Sequence, residues 1–437
     1  MTGNDSVLKA DLLITGASQL VTLAGPPGPR RGMAMRDLGV IENGALAARG
    51  EKIVAAGPAA DVVKKIEMLP GGKVVDAGGR VVMPGFVDAH THPVYAGSRE
   101  HELSLKLEGK SYLEILKAGG GILSTVRATR SASGDMLMEQ TARRLDLLLE
   151  HGVTCAEAKS GYGLSLEHEV RSLEVLRELD RTHPLDLVPT FMGAHAVPPE
   201  FSGNPGRYVD AVVEEMIPAV ASAGLARYCD VFCEEGVFDI AQSERILRAG
   251  MEKGLLPRLH ADELADTGGA ALAARLGAVT ADHLLFASDE GIKAMAGAGV
   301  MAVLLPCTSF NLAAGRYARA RKMLDAGLAV AISTDCNPGS SPTQSMQLAI
   351  TLACLYLRMT PEEAVTAATI NGAWAVGKGG LAGSLEPGKL ADVLIIDAPN
   401  YLHLPYHFGV NLVHSVYKRG SLVYSRSGVR RNLEEAR

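Results

Sequence analysis

His90 and His92, one residue apart at the end of Val81-Val82-Met83-Pro84-Gly85-Phe86-Val87-Asp88-Ala89-His90-Thr91-His92, carry the clearest chemical signal in this chain. Alternate residues of an extended strand face the same way, so the two imidazoles converge on one point. Converging imidazoles are a signal for a divalent metal. Further along, Leu259-His260-Ala261-Asp262-Glu263 places a third imidazole at the end of another apolar run, with Glu263 a nearby carboxylate. Ala281-Asp282-His283-Leu284 ends the next such run, and Ala331-Ile332-Ser333-Thr334-Asp335-Cys336-Asn337-Pro338-Gly339 the last. Three His and one Asp around an ion leave a position for water, as in a catalytic rather than a closed structural zinc site. Such an ion brings the pKa of its water toward neutrality and so supplies hydroxide for hydrolysis. Cys229-x-x-x-Cys233 has no second pair to complete a zinc site, and the six cysteines are expected to be reduced thiols.

The elements that must position these groups are legible as a rhythm. From about residue 77 onward, apolar helices alternate with short apolar strands. A helix over 136–150 stops at Gly152 before Val153-Thr154-Cys155-Ala156. Another carries Val170, Leu173, Leu176 and Leu179 on one face and gives way to Leu185-Asp186-Leu187-Val188. Thr360-Pro361-Glu362-Glu363 reads as a capping box with Pro at the first helical position. Repeated helix-then-strand units point to an α/β protein with a parallel sheet, most economically a (β/α)₈ TIM-type barrel over 77–385. In a barrel, the strands' C-terminal ends form the catalytic face, which is where every candidate ligand falls. Residues 1–76 and 386–437 instead read as short strands and turns, such as Asp11-Leu12-Leu13-Ile14 and Ala391-Asp392-Val393-Leu394-Ile395-Ile396. These two ends are expected to join in one small β-sandwich domain.

Composition narrows the class. The 437 residues are 47% hydrophobic, normal for a globule and too apolar for a disordered chain. Lys and Arg number 43 against 49 Asp and Glu, a net charge of −6 with no basic face, so no nucleic-acid partner is expected. Apolar runs such as Val300-Met301-Ala302-Val303-Leu304-Leu305 are too short to span a bilayer, and no membrane partner is expected. The first ten residues show no secretion signal, so the expected location is cytoplasmic.

Pro84-Gly85-Phe86-Val87-Asp88-Ala89-His90-Thr91-His92 resembles the metal-dependent amidohydrolase superfamily. Narrower segments resemble the imidazolonepropionase family within it: Ala96-Gly97-Ser98-Arg99-Glu100, Gly109-Lys110-Ser111-Tyr112-Leu113, Gly119-Gly120-Gly121-Ile122 and Lys159-Ser160-Gly161-Tyr162-Gly163-Leu164. Thr190-Phe191-Met192-Gly193-Ala194-His195 and Thr334-Asp335-Cys336-Asn337-Pro338-Gly339-Ser340-Ser341 continue it, and Pro405-Tyr406-His407-Phe408-Gly409-Val410-Asn411 carries it almost to the end. The Pro-rich insert at 26–32 lies outside every motif.

That resemblance implies hydrolysis of a small molecule, 4-imidazolone-5-propanoate, to N-formimidoyl-L-glutamate in histidine degradation, by attack of metal-bound hydroxide on the ring carbonyl. It implies one zinc or iron ion per subunit, zinc ahead of iron, held by His90, His92, His260 and Asp335, in a homodimer. Glu263 and His283 become its acid–base neighbours, with Asp335 sharing that work. Substrate contacts fall on Arg99, Tyr112, Tyr162, His195, Glu263, Asn337, Gly339 and Ser340. Independently of the family, a propanoate tail needs a cation, and the planar fork of Arg99 matches a carboxylate. Two-metal members of the superfamily bridge their ions with a carbamylated Lys from the fourth barrel strand. Counting from His90, that strand is Cys229-Asp230-Val231-Phe232-Cys233-Glu234-Glu235, which has none, while Lys159 sits on the second. One metal is therefore expected. A related purine or pyrimidine deaminase shares the metal motif, but a nucleobase has no tail carboxylate to engage Arg99. A non-catalytic scaffold would have lost ligands, and every ligand position here is filled.

Overall fold

The computed structural model describes residues 7–110, 114 and 120–426. Eight parallel strands pair in chain order: Phe86–Asp88, Val153–Lys159, Asp186–Ala194, Tyr228–Cys233, Leu256–Ala261, Thr280–His283, Met301–Leu304 and Val330–Ile332. The ring closes between the first and the eighth, where Thr91 and Cys336 form a parallel bridge and the His92 amide donates to the Cys336 carbonyl at 2.9 Å. Every residue of Val153–Lys159 is buried, the pattern of a parallel strand covered on both faces.

The helices form where the sequence provides caps and apolar stripes. Ser133 accepts from the Met136 amide to start Gly134–Glu150, whose Leu137, Leu145 and Leu148 face the core. That helix ends at Gly152, with φ at +89°. A Cβ there would meet Phe86, Leu394 and Val413 at about 3 Å, so both the backbone angle and the close packing call for glycine. The capping box at Thr360 is formed in both directions, with the Glu363 amide donating to Thr360 Oγ1 and the Thr360 amide to Glu363 Oε2.

The chain ends meet in one mixed eight-stranded sheet, separate from the barrel. Its central seam pairs Val81–Pro84 antiparallel with Val393–Ile396. Leu12, Ile14, Leu46, Ala48 and Ile53 pack on one side, and Ala10, Leu13, Ala45, Ala47 and Val62 on the other. Because Val81–Pro84 lies in this sheet, the N-terminal contribution runs to residue 84 rather than stopping at the expected 76. The Pro-rich insert docks on the barrel: the Arg30 amide donates to Asn371 Oδ1 at 2.7 Å and its carbonyl accepts from Asn371 Nδ2 at 3.0 Å. Among the described residues, no helix is long and apolar enough to cross a membrane.

Candidate metal centre and active site

The barrel brings His90, His92, His260 and Asp335 together at its C-terminal mouth, all buried. His92 Nε2 lies 3.3 Å from His90 Nε2 and 3.4 Å from His260 Nε2. Asp335 Oδ1 stands 3.5 Å from His90 Nε2 and 3.6 Å from His92 Nε2. The opposite ring nitrogens of two of these histidines are held by carboxylates. His90 Nδ1 meets Asp282 Oδ2 at 2.6 Å, and His260 Nδ1 meets Asp230 Oδ1 at 3.1 Å. A neutral imidazole that donates its Nδ1–H to a carboxylate presents a bare lone pair at Nε2. Two such lone pairs, on His90 and His260, crowd His92 Nε2 and Asp335 Oδ1 and repel unless a cation sits among them, so this donor set fits a metal ion. Burial holds His90 and His92 well below the ordinary histidine range, and His283 beside them likewise, which keeps all three imidazoles neutral. Burial pushes Asp335 up to about 7, although a hydrogen bond from Thr308 Oγ1 opposes that rise.

Beneath the ligands lies a dry layer of charge. Lys159 Nζ donates to Glu157 Oε1 at 2.7 Å and to Asp230 Oδ2 at 2.6 Å. Arg258 Nη2 donates to the Ala89 carbonyl at 2.7 Å and lies 3.4 Å from Asp282. Lys159 is on the second strand with its ammonium engaged by two carboxylates, and the fourth strand, Tyr228–Cys233, carries no lysine.

The remaining site residues ring this centre. His195 stacks on His92 at 5.0 Å between centroids, and its Nδ1 donates to the Gly161 carbonyl at 3.0 Å. Its Nε2 is thereby left as an acceptor, and burial lowers its pKa to about 3. Tyr162 is buried with its ring 5.2 Å from His195. Glu263 Oε1 lies 3.5 Å from His283 Nδ1, and burial, with Asp335 and Glu234 nearby, pushes Glu263 up to about 8. Arg99 lies close over Gly339, where a Cβ would fall 2.1 Å from Nη1 and push the guanidinium aside. The Arg99 fork is already engaged on one edge: Nε and Nη2 donate to Glu102 at 3.0 and 2.8 Å. Asn337 uses its amide within its own turn, accepting from the Gly339 and Ser340 amides at 2.8 Å and donating to the Asp335 carbonyl. Ser340 Oγ accepts from Asn337 Nδ2 at 2.9 Å. Tyr112 lies outside the described residues.

Four of the ten described non-glycine residues with positive φ lie at or next to this cluster. Asp262, His283, Leu284 and Asp335 all have φ between +51° and +70°, a region that non-glycine residues enter at a cost. Sequence reasoning passed over Asp230, Asp282, Glu157 and Arg258. The available signal was a charged residue inside an apolar barrel strand, as in Tyr228-Cys229-Asp230-Val231, which burial permits only with a partner.

A (β/α)₈ barrel whose mouth gathers a His-x-His pair, later histidines and an aspartate defines a metal-dependent hydrolase of the amidohydrolase class. Residues 258–423 match the amidohydrolase family. The chain is 54% identical over 422 residues to the imidazolonepropionase of Alkaliphilus metalliredigens (strain QYMF), covering 97% of this chain and 100% of that one. It is also 54% identical over 414 residues to that of Geobacillus kaustophilus (strain HTA426), covering 94% and 97%. The chain belongs to the imidazolonepropionase family. Among solved structures, E. coli guanine deaminase aligns with a TM-score of 0.71 at 17% identity, over 95% of this chain and 99% of that one. A zinc-bound adenosine deaminase from Xanthomonas campestris aligns at 0.69 and 21%, over 95% and 93%. Those two likenesses establish the fold alone.

Proposed function

We propose that His90, His92, His260 and Asp335 hold one zinc ion and that the residues around them divide the work of a ring-opening hydrolysis. Zinc is favoured over iron because imidazole and carboxylate donors suit this borderline cation, whose shell can expand to five to admit a water beside the four side chains. The chain hydrolyses 4-imidazolone-5-propanoate to N-formimidoyl-L-glutamate, a step of histidine degradation. We place it in the cytoplasm as a homodimer, the state that the family resemblance implies.

When bound, the ion supplies Lewis acidity and a water acidic enough to lose a proton near neutral pH. The chain supplies the rest. Asp335, fixed by Thr308 through Oδ2, turns Oδ1 toward the histidine cluster and accepts the proton released by the attacking water. Water adds at the ring carbonyl carbon, the amide C–N bond breaks, and the departing nitrogen needs a proton. Glu263, raised to about 8 by burial, holds that proton at neutral pH and delivers it. His283, neutral and 3.5 Å from Glu263, orients the ring carbonyl. Arg99 takes the propanoate tail on the guanidinium edge that Glu102 leaves open, while Tyr162 and His195 wall the ring.

The observation that carries this reading is the cluster of facing Nε2 lone pairs with Asp335, within a chain 54% identical to imidazolonepropionases. A deaminase reading rests on fold likeness at 17–21% identity and is set aside. The test is incubation with imidazolonepropanoate and, separately, guanine, following the ultraviolet absorbance of each ring. Loss of the imidazolone band alone is expected. Guanine turnover without imidazolone turnover overturns the reading.

A further inference from the structure

The fourth barrel strand ends at Cys233, and the next residue, Glu234, is only 1% exposed. A carboxylate so deeply placed is costly unless its oxygens are satisfied. Here backbone amides satisfy them, and two come from a different strand's turn. Oε2 accepts from the Glu263 amide at 3.0 Å and the Leu264 amide at 2.9 Å, while Oε1 accepts from the Glu235 amide at 3.2 Å.

The segment so gripped is the one that carries the proton donor. It leaves the fifth strand through Asp262, whose φ of +51° reverses the chain. The Asp262 carboxylate is itself tied to the next helix, accepting from the Gly269 amide at 2.8 Å and the Ala270 amide at 2.9 Å. Glu263 therefore stands between two anchored carboxylates, one on each side. Hydrophobic packing does not hold this turn, because Leu264 is 59% exposed. Charge-assisted hydrogen bonds hold it instead.

We propose that Glu234 is a positioning residue for the hydrolysis, fixing the backbone from which Glu263 reaches the leaving nitrogen. This rests on the proton-donor reading of Glu263 given above. Glu234 does not touch the substrate in this scheme, and its influence passes through Glu263.

A double-mutant cycle tests it, using Glu234→Ala, Glu263→Gln and the combined variant in the metal-loaded enzyme. The readouts are kcat, KM, metal content and circular dichroism. Glu234→Ala is expected to lower kcat by about tenfold to a hundredfold, the order of loss for a small misplacement of a reacting group. Its KM should stay within about threefold and its metal content should be full. Glu263→Gln should be slower still, and adding Glu234→Ala to it should cost no more than about twofold, since residues acting as a unit are not additive. Glu234→Gln keeps the shape and one carbonyl-type acceptor, so it should fall between wild type and Glu234→Ala. The same cycle runs on it if the alanine variant does not fold. Normal kcat in folded Glu234→Ala, or losses that multiply in the double variant, overturns the inference while leaving Glu263 as donor. Near-normal kcat in Glu263→Gln overturns the donor reading and the inference with it.

Discussion

The tail clamp is the sharpest point at which substrate selectivity meets this structure. Arg99 has 11% of its side chain exposed and its partner Glu102 has 2%, so the pair sits in a largely dry environment. An exposed ion pair contributes roughly 1 kcal/mol or less, whereas a hydrogen bond to a charged group in a dry site contributes about 1.5–3 kcal/mol. Glu102 holds the edge formed by Nε and Nη2, and in the proposed clamp the tail binds at Nη1, which lies beside Gly339. One such hydrogen bond to the tail therefore amounts to about 1.5–3 kcal/mol, or roughly tenfold to a hundredfold in kcat/KM at about 1.4 kcal/mol per decade. Arg99→Met removes it and takes the guanidinium from Glu102, whose Oε1 still accepts from the Gly121 amide at 2.6 Å. Arg99→Lys keeps the charge without the fork and should lose less, though still measurably. The assay compares kcat/KM for imidazolonepropanoate with that for an analogue whose tail ends in a neutral amide. Arg99→Met should slow the carboxylate substrate far more than the amide, with metal content unchanged. Equal slowing of both would show that the carboxylate is bound elsewhere and that no such clamp exists.

The metal centre yields three further expectations. His260→Ala should lose both ion and activity, and elemental analysis checks the first; two ions per chain at full occupancy would contradict the mononuclear site. Asp230→Asn should weaken metal binding about tenfold to a hundredfold, the usual effect of loosening a ligand's outer partner, as read by chelator competition. The metal-free protein should also show a particular pH dependence of stability. Glu263 and Asp335, raised to about 8 and 7 when folded, stay protonated where the unfolded chain has ionised, so their stabilisation is lost as pH rises through those values. The buried histidines, held neutral, act in the opposite sense and cost stability only as pH falls below about 6.5. Between pH 6.5 and 8 the carboxylates therefore set the slope. Tm of the chelated protein should fall across that window and fall less in Glu263→Gln; an identical slope in the two would contradict the raised pKa of Glu263.

The parts of this site that were legible in the sequence share a physical reason. His90 and His92 announce themselves because strand alternation makes i and i+2 neighbours, and His260, His283 and Asp335 because each punctuates an apolar run. Local pattern likewise exposed the barrel, the joined chain ends and the cap at Thr360. What escaped is non-local. Asp230 matters because its strand lies beside that of His260, with Arg258 opposite Asp230 in register, and no periodicity within either segment encodes that pairing. The boundary at residue 84 escaped because Val81–Pro84 and Phe86–Asp88 read as one apolar strand, although they belong to different sheets. Glu102 escaped because a charged residue one turn after Arg99 looks like any solvated helix face until the fold buries it. In each case the missing information was which distant segment a residue packs against. The proposed ligand set alone would serve any hydrolase of this class, so the proposed selectivity rests on such non-local partners. In the proposed mechanism Asp282 and Asp230 would fix which ring nitrogen of His90 and His260 faces the ion, and Glu102 and Glu234 would fix where Arg99 and Glu263 can reach.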